Sequence, residues 1–336
     1  LHRLIRRQRQ MCIRDSNKST VMDLNYSVNG LAFLFDFHVP FIATSIIANI
    51  SRISLLKLNY LYTDSYVKNG TILYANFTAC IFMGILQSFK FEDGELQTCL
   101  TTGFCGSFSS LSTYIWELFI HTVIRAHNYP NRGYSISEFI VGNIVEVSVS
   151  MSGLKFGISL GSFIKENYNI NSKKLSKIIK YTLALLSIPL LIIMLVLSIV
   201  YRDKFDSYWC LSSLFGIFGT YGRFYLSKLN SSSASQKWQF PVGTFLTNFI
   251  ASTVLAILLV LLERYTSEYT KRWVIYSLME GFTASLSTMS TFMNEMNKLK
   301  FLKSGWYLVI TVFSCYSMFI IILGSYKWTK GLYNIS

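Results

Sequence analysis

Two stretches of this chain place glycines and hydroxyl side chains inside otherwise apolar sequence. They are Gly103-Phe104-Cys105-Gly106-Ser107-Phe108-Ser109-Ser110-Leu111-Ser112-Thr113-Tyr114 and Gly281-Phe282-Thr283-Ala284-Ser285-Leu286-Ser287-Thr288-Met289-Ser290-Thr291-Phe292. Six of the twelve positions are identical at an offset of 178, and Glu117 recurs at that offset as Glu295. Arg52 and Arg223 stand 171 apart, Asn76 and Asn248 172 apart. The recurring set is guanidinium, amide and hydroxyl, all hydrogen-bond donors, with no carboxylate at its centre. Such donors suit an anion, because a selective path must replace part of the hydration shell without holding the ion.

These residues need elements that can carry them through an apolar solvent. With a mean hydropathy of +0.39, 51% hydrophobic and 14% charged residues, the chain reads as a polytopic membrane protein. At about 20 apolar residues per span, the sequence predicts nine helices. The first four run over 37–58, 71–89, 100–124 and 139–161; a fifth, plain and uncharged, covers 181–200; the last four run over 208–226, 240–262, 273–296 and 304–326. Arg52, Asn76 and the first glycine-serine stretch fall on spans one, two and three, and Arg223, Asn248 and the second stretch on spans six, seven and eight. Near-constant offsets mean an internal repeat of four spans. An even-numbered repeat followed by one extra helix inverts the second copy. The expected fold is therefore all-α, with two inverted four-helix repeats joined by a linker helix and the third helix of each repeat broken. A broken helix at membrane depth is tolerated only where protein or a water-lined path covers its backbone, so two breaks point to a pathway built from two halves.

Other functions fit poorly. The net charge is +14, but Lys and Arg fall mainly between apolar runs, which is a topology signal and not a nucleic-acid surface. The six cysteines form no C-x-x-C, and none of the four histidines stands at ligand spacing, so neither a metal site nor a disulfide framework is implied. There is no G-x-S-x-G, H-E-x-x-H or P-loop, which argues against an enzyme. Lys and Arg divide evenly between the two sets of loops, and the five-lysine loop after span four places the N-terminus inside. Asn69-Gly70-Thr71 is then an external glycosylation sequon. Residues 1–16, with five arginines and no apolar core, read as a sequencing or translation artefact and not as a signal peptide. A tail follows over 17–36, then a first four-helix domain over 37–163, a linker over 164–207, a second domain over 208–328 and a C-terminal tail over 329–336.

Taken in order, Gly219-Thr220-Tyr221-Gly222-Arg223, Pro241-Val242-Gly243-Thr244-Phe245-Leu246-Thr247-Asn248 and the two broken motifs resemble the CrcB-type fluoride channel family in its fused eukaryotic form. Ala48-Asn49-Ile50-Ser51-Arg52 and Tyr74-Ala75-Asn76-Phe77 give a thinner match in the first half. The resemblance covers about 37–326. It implies that Asn76 and Asn248 offer their amides to fluoride and that Arg52 and Arg223 stand near an aqueous vestibule, concentrating anions. The family's two phenylalanines, whose positive ring edges face the ion, fall here on Leu111 and Tyr114 in the first half and on Met289 and Phe292 in the second. Ser110, Ser112, Thr113, Thr288, Ser290 and Thr291 supply neighbouring hydroxyls, with Glu117 and Glu295 near the end of the polar track. A central sodium ion is implied on the backbone carbonyls of Gly106, Ser109, Ala284 and Ser287, and no organic cofactor. Glu146 has no acidic counterpart in the ninth span and is expected in a salt bridge or at a vestibule, since an intramembrane carboxylate is functional by default. The function implied is passive, potential-driven export of fluoride across the plasma membrane by a single chain, with lipid as its other partner. The rival is an ion-coupled transporter of inverted-repeat type, for which Glu146 is the single-copy carboxylate; a structural membrane protein without transport is the third reading.

Overall fold

The structure is a computed structural model, which describes residues 34–61, 72–89, 91, 93–168 and 171–332. The sequon at 69–71 and the segment 1–16 lie outside the described residues. Every regular element among the described residues is helical. Six helical stretches are long and apolar enough to cross a membrane, namely Phe35–Leu58, Ile72–Phe89, Gly133–Asn167, Ser172–Val200, Val242–Arg264 and Phe301–Lys330. The chain is a multi-pass, all-helical membrane protein.

The first of these consists of a π-turn at Leu34–His38 followed by α1, Val39–Leu61. Helix α2 is Ile72–Phe89. The third expected span comes in pieces: α3 at Gly94–Thr98, a π-helical stretch at Cys99–Cys105, α4 at Gly106–Phe108 and, after a break, α5 at Leu111–Phe119. Asp93 starts it by accepting the N–H groups of Glu95 and Leu96, the side-chain cap that a helix start needs. Helix α6, Gly133–Asn167, extends beyond the apolar core of the fourth span at both ends. Helix α7, Ser172–Val200, starts nine residues before the predicted linker span, because Asn171 caps it at the N–H of Lys174. Its polar first turns lie outside an apolar-run count, but not outside a capped helix.

The second half repeats the order. Helix α8 is Tyr208–Ser227, and α9, Ser233–Trp238, is a short helix capped by Ser232. Helix α10 is Val242–Arg264. The eighth expected span is again divided, into α11 at Tyr269–Leu278, a π-helical stretch at Met279–Thr283, α12 at Ala284–Leu286 and α13 at Ser290–Lys298. Helix α14, Phe301–Phe319, continues through Ile320–Gly324 into α15, Ser325–Lys330.

The closest pairing in the fold is α2 against α6, along a row of small residues. A Cβ on Gly84 would meet the Leu154 carbonyl, and one on Gly157 the Ile81 carbonyl; on Gly153 and Gly161 it would stand 2.8 Å from Phe77 and Ser88. Small residues let membrane helices approach backbone to backbone, since lipid gives no hydrophobic drive for association. The two broken spans cross at the centre, where α5 meets α10 and α14 while α13 meets α2 and α6. Each half thus inserts the second part of its broken helix into the other.

Candidate functional site: two polar rows meeting at the crossed breaks

At the first break Ser109 and Ser110 are extended, and at the second Ser287 is. Helix ends leave backbone groups without intrahelical partners, and here side chains supply them. The Ser110 N–H donates to Asn76 Oδ1 at 2.8 Å and the Thr288 N–H to Asn248 Oδ1 at 2.7 Å. Ser109 Oγ accepts from the N–H groups of Met289 and Ser290 in the opposite half, at 3.2 and 2.9 Å. Ser287 Oγ in turn accepts from the Ser112 N–H at 3.2 Å. The hydroxyls of Ser110 and Ser112 each lie 2.9 Å from Ser287 Oγ. The Ser110 and Thr288 hydroxyls cap the turns that follow, accepting the N–H groups of Thr113 and Thr291 at 3.2 and 3.3 Å and lying 2.8 and 3.2 Å from the hydroxyls of those two threonines. The Ser290 hydroxyl crosses to the Cys105 carbonyl at 2.9 Å.

The freed carbonyls go to the two arginines. Arg52 donates to the carbonyls of Ser107 and Glu280 and, at 2.7 Å, to Asn49 Oδ1. Arg223 donates to the carbonyls of Ser285, Ser287 and Thr102 at 2.5, 3.0 and 2.5 Å, and to Ser107 Oγ at 2.8 Å. Ser107 and Ser285 are 178 apart, as are Thr102 and Glu280. The same offset that relates the motifs therefore relates the contacts. The guanidinium positions differ from the expected vestibule placement. Arg52 and Arg223 are 0% and 2% exposed and hold both breaks together. Burial is tolerable because a planar fork of donors matches several fixed carbonyls at once.

The water-sized space lies elsewhere. A cavity of about 160 Å³ is lined by Thr113, Glu117, His121, Arg125 and Glu280, among others. Glu280 in its wall also gives its backbone carbonyl to Arg52. His121 and Arg125 follow Glu117 at four-residue spacing, a signal in the sequence that was not read as a site, whereas Glu280 left none.

Around each asparagine the two halves diverge. Asn248 donates from Nδ2 to the Thr288 carbonyl at 3.3 Å, and its second amide proton has no acceptor among the described residues. Next to it, Glu295 accepts from Thr244, Asn230 and Tyr307 at 2.7, 2.9 and 2.8 Å. The Phe292 ring is buried 4.7 Å from the Tyr307 ring. Met289 is buried as well. In the first half Asn76 donates to the Ser110 carbonyl at 3.3 Å and also to Glu146 Oε1 at 2.5 Å. Glu146 is 5% exposed and joins no salt bridge among the described residues, so the expected salt bridge or vestibule position gives way to a contact with the asparagine itself. Tyr114 donates to Asn143 Oδ1 at 2.5 Å, Leu111 is fully buried, and Glu117 accepts from the Ile72 N–H at 3.0 Å. Asn49, Asn143, Asn230 and Tyr307 were missed from sequence, although Asn230 stands 171 from Asn59, the offset of the arginines, and Tyr307 stands 178 from Tyr129, the offset of the broken motifs. Asn49 left a signal of another kind, one helical turn before Arg52.

The expected sodium ligands lie together at the crossing. The Gly106 and Ala284 carbonyls accept only long bonds from Ser109 and Ser287 hydroxyls, 3.5 and 3.4 Å. The Ser287 carbonyl already accepts from Arg223, and the same guanidinium lies 2.8 Å from where a Gly106 Cβ would be.

The family described as CrcB-like protein, Camphor Resistance (CrcB), matches residues 41–151 and again 210–325. Fluoride export protein 1 of Saccharomyces cerevisiae is 30% identical over 335 residues, covering 81% of this chain and 88% of the relative. Fluoride export protein 1 of Candida albicans is also 30% identical, over 303 residues, covering 81% of this chain and 75% of the relative. In Schizosaccharomyces pombe, fluoride export protein 1 is 24% identical over 306 residues, with 87% and 96% covered. No solved structure matches the chain. With both halves matched separately, and with relatives aligned over most of their length, the chain belongs to the CrcB-like family.

Proposed function

We propose that the protein exports fluoride by passive conduction along the row that runs from Asn248 through Thr288 and Thr291 towards Glu295. The observation that carries this reading is the orientation of the Asn248 amide. Its oxygen is held by the Thr288 N–H and one of its amide protons goes to the Thr288 carbonyl, so the second amide proton is the one it can offer to an anion. Hydroxyls of Thr288 and Thr291 continue the row, and Phe292, Tyr114, Leu111 and Met289 wall the two paths. The family and the names of the fungal relatives support fluoride as the ion. Fluoride enters a cell as neutral HF, dissociates and is trapped; an inside-negative potential then drives it outward, by about 2.3 kcal/mol per charge per 100 mV.

The finer architecture belongs to the same reading: nine spans, two inverted four-helix repeats, a linker helix, a single chain sufficient for function and residence in the plasma membrane. Carbonyls of Gly106, Ser109 and Ala284 are the right uncharged oxygen ligands for a sodium ion. Ser287 would share its carbonyl between that ion and Arg223. Bound there, sodium would lend positive charge to the crossing of the breaks. The rival, an ion-coupled transporter, needs a carboxylate free to bind and release its coupling ion.

Growth of a fluoride-sensitive strain on graded fluoride, with and without this gene, tests the proposal, alongside fluoride efflux from liposomes holding the purified chain. Restored growth together with efflux that needs no counter-ion gradient is expected. Absence of either, with the protein present in the membrane, removes the reading.

A further inference from the structure

We propose that Glu146 is an internal plug: its carboxyl oxygen occupies the amide donor of Asn76 that its counterpart Asn248 leaves open to the passing ion, and thereby shuts the first-half row. The inference rests on the reading that the Asn248 row conducts fluoride, and it goes beyond it by naming the group that closes the other. Both asparagines have their oxygen fixed by a backbone N–H at the break, so both must present nitrogen to the row. On Asn76 both amide protons are used, one by the Ser110 carbonyl and one by Glu146 Oε1 at 2.5 Å. An incoming anion would have to displace a buried carboxyl oxygen that also accepts from Ser150 at 3.5 Å.

The second half shows what stands there otherwise. Cys80 lies beside Ser150 in the first half and Cys315 beside Ser252 in the second, the same two side chains with their positions exchanged. Ser150 therefore matches Cys315, a shift of 165 that carries Glu146 onto Thr311. Thr311 is fully buried, and its hydroxyl has no partner among the described residues. A buried polar atom left unpaired is rare and calls for an explanation; a short side chain that leaves the asparagine free supplies one. Helix spacing agrees. The glycines at 153, 157 and 161 that seat α6 directly on α2 become Met318, Ile322 and Tyr326 at the same shift. Larger side chains there keep the corresponding helices of the second half from closing in the same way.

The experiment is fluoride efflux from liposomes holding the full chain, in an Asn248→Asp background that disables the second row. Adding Glu146→Thr, the residue of the other half, should raise efflux about tenfold or more above Asn248→Asp alone, as release of a donor from a charge-assisted hydrogen bond allows. Glu146→Gln keeps an acceptor oxygen at similar reach and should leave efflux at the background. Size-exclusion profile and thermal melting in detergent establish that each variant is folded. Folded Glu146→Thr without added efflux overturns the plug, as does equal rescue by Glu146→Gln. A wild-type chain that moves no fluoride would instead refute the reading beneath it.

Discussion

An asparagine side chain in a membrane helix has an acceptor and two donor protons, and what the protein does with the acceptor decides what remains for an ion. In both halves the oxygen is spent on the backbone of the break, so the recurrence of Asn76 and Asn248 in the sequence marked a structural anchor as well as a donor. The two should respond differently to Asp. Asn248→Asp puts a carboxylate on the row and should lower fluoride efflux about tenfold or more with the fold retained. Asn76→Asp sets a second carboxyl against Glu146 and should instead lower the melting temperature, by a destabilisation on the order of 1–3 kcal/mol. Equal loss of efflux in two equally stable variants would refute the distinction. The rings offer a parallel test. Phe292 packs on Tyr307, whose hydroxyl donates to Glu295, whereas Tyr114 ends on Asn143. Phe292→Ile should remove most fluoride resistance and Tyr114→Ile little of it; the reverse ranking at normal protein levels would overturn the assignment.

The breaks were legible in the glycine-serine motifs because hydrocarbon forbids unpaired backbone, and few sequences other than a broken span would put six hydroxyl side chains there. Their partners were not legible. Capping of α13 by Ser109 and of the Ser112 N–H by Ser287 joins residues more than 170 positions apart, and hydroxyl-to-backbone bonds leave no pattern beyond the serines themselves. The arginines misled for a related reason. A lone charge in the last third of an apolar span reads equally well as an interface residue, and only the crossing of the two broken helices brings enough carbonyls to satisfy it inside. Arg223→Leu should consequently act on the fold: each carbonyl it leaves unpaired costs about 1–3 kcal/mol, so loss of folded protein in detergent is expected before any change in selectivity. A stable variant with only a reduced fluoride rate would return Arg223 to a vestibule role. The linker helix is tied down less strongly. Lys180 meets Asp36, Asp93 and Glu95 at 3.3, 3.1 and 3.2 Å, and Lys180→Ala should cost only about 1 kcal/mol, as partly exposed ion pairs do. Deleting α7, by contrast, should abolish function, since the second half would then insert with the wrong orientation. Retained export after deletion, with correct insertion, would refute that role of the linker.

On the scale of the whole molecule, the two halves share one contact plan at their centre and differ at their flanks. The arginine contacts, the asparagine anchors and the crossed serine caps follow the repeat, while Glu146 and the glycine row of α6 each belong to one half only. A shared centre is what stability requires, because each broken helix is completed by its opposite number. On the proposed reading the flanks are free to diverge, since one conducting row would be enough to empty a cell of fluoride. Passive conduction, as proposed, requires the crossing of the breaks to stay in one arrangement. The break is pinned from both sides by buried guanidinium and hydroxyl groups, and an alternating-access cycle would have to break many of these bonds at once. Fluoride should therefore distribute by its electrochemical gradient alone. In liposomes clamped by a potassium diffusion potential, 100 mV is worth about 2.3 kcal/mol for a single charge, so the steady-state fluoride ratio should approach roughly 50-fold, and it should be indifferent to a superimposed proton or sodium gradient. A ratio that moved with either gradient at fixed potential would identify a coupled transporter and overturn passive conduction.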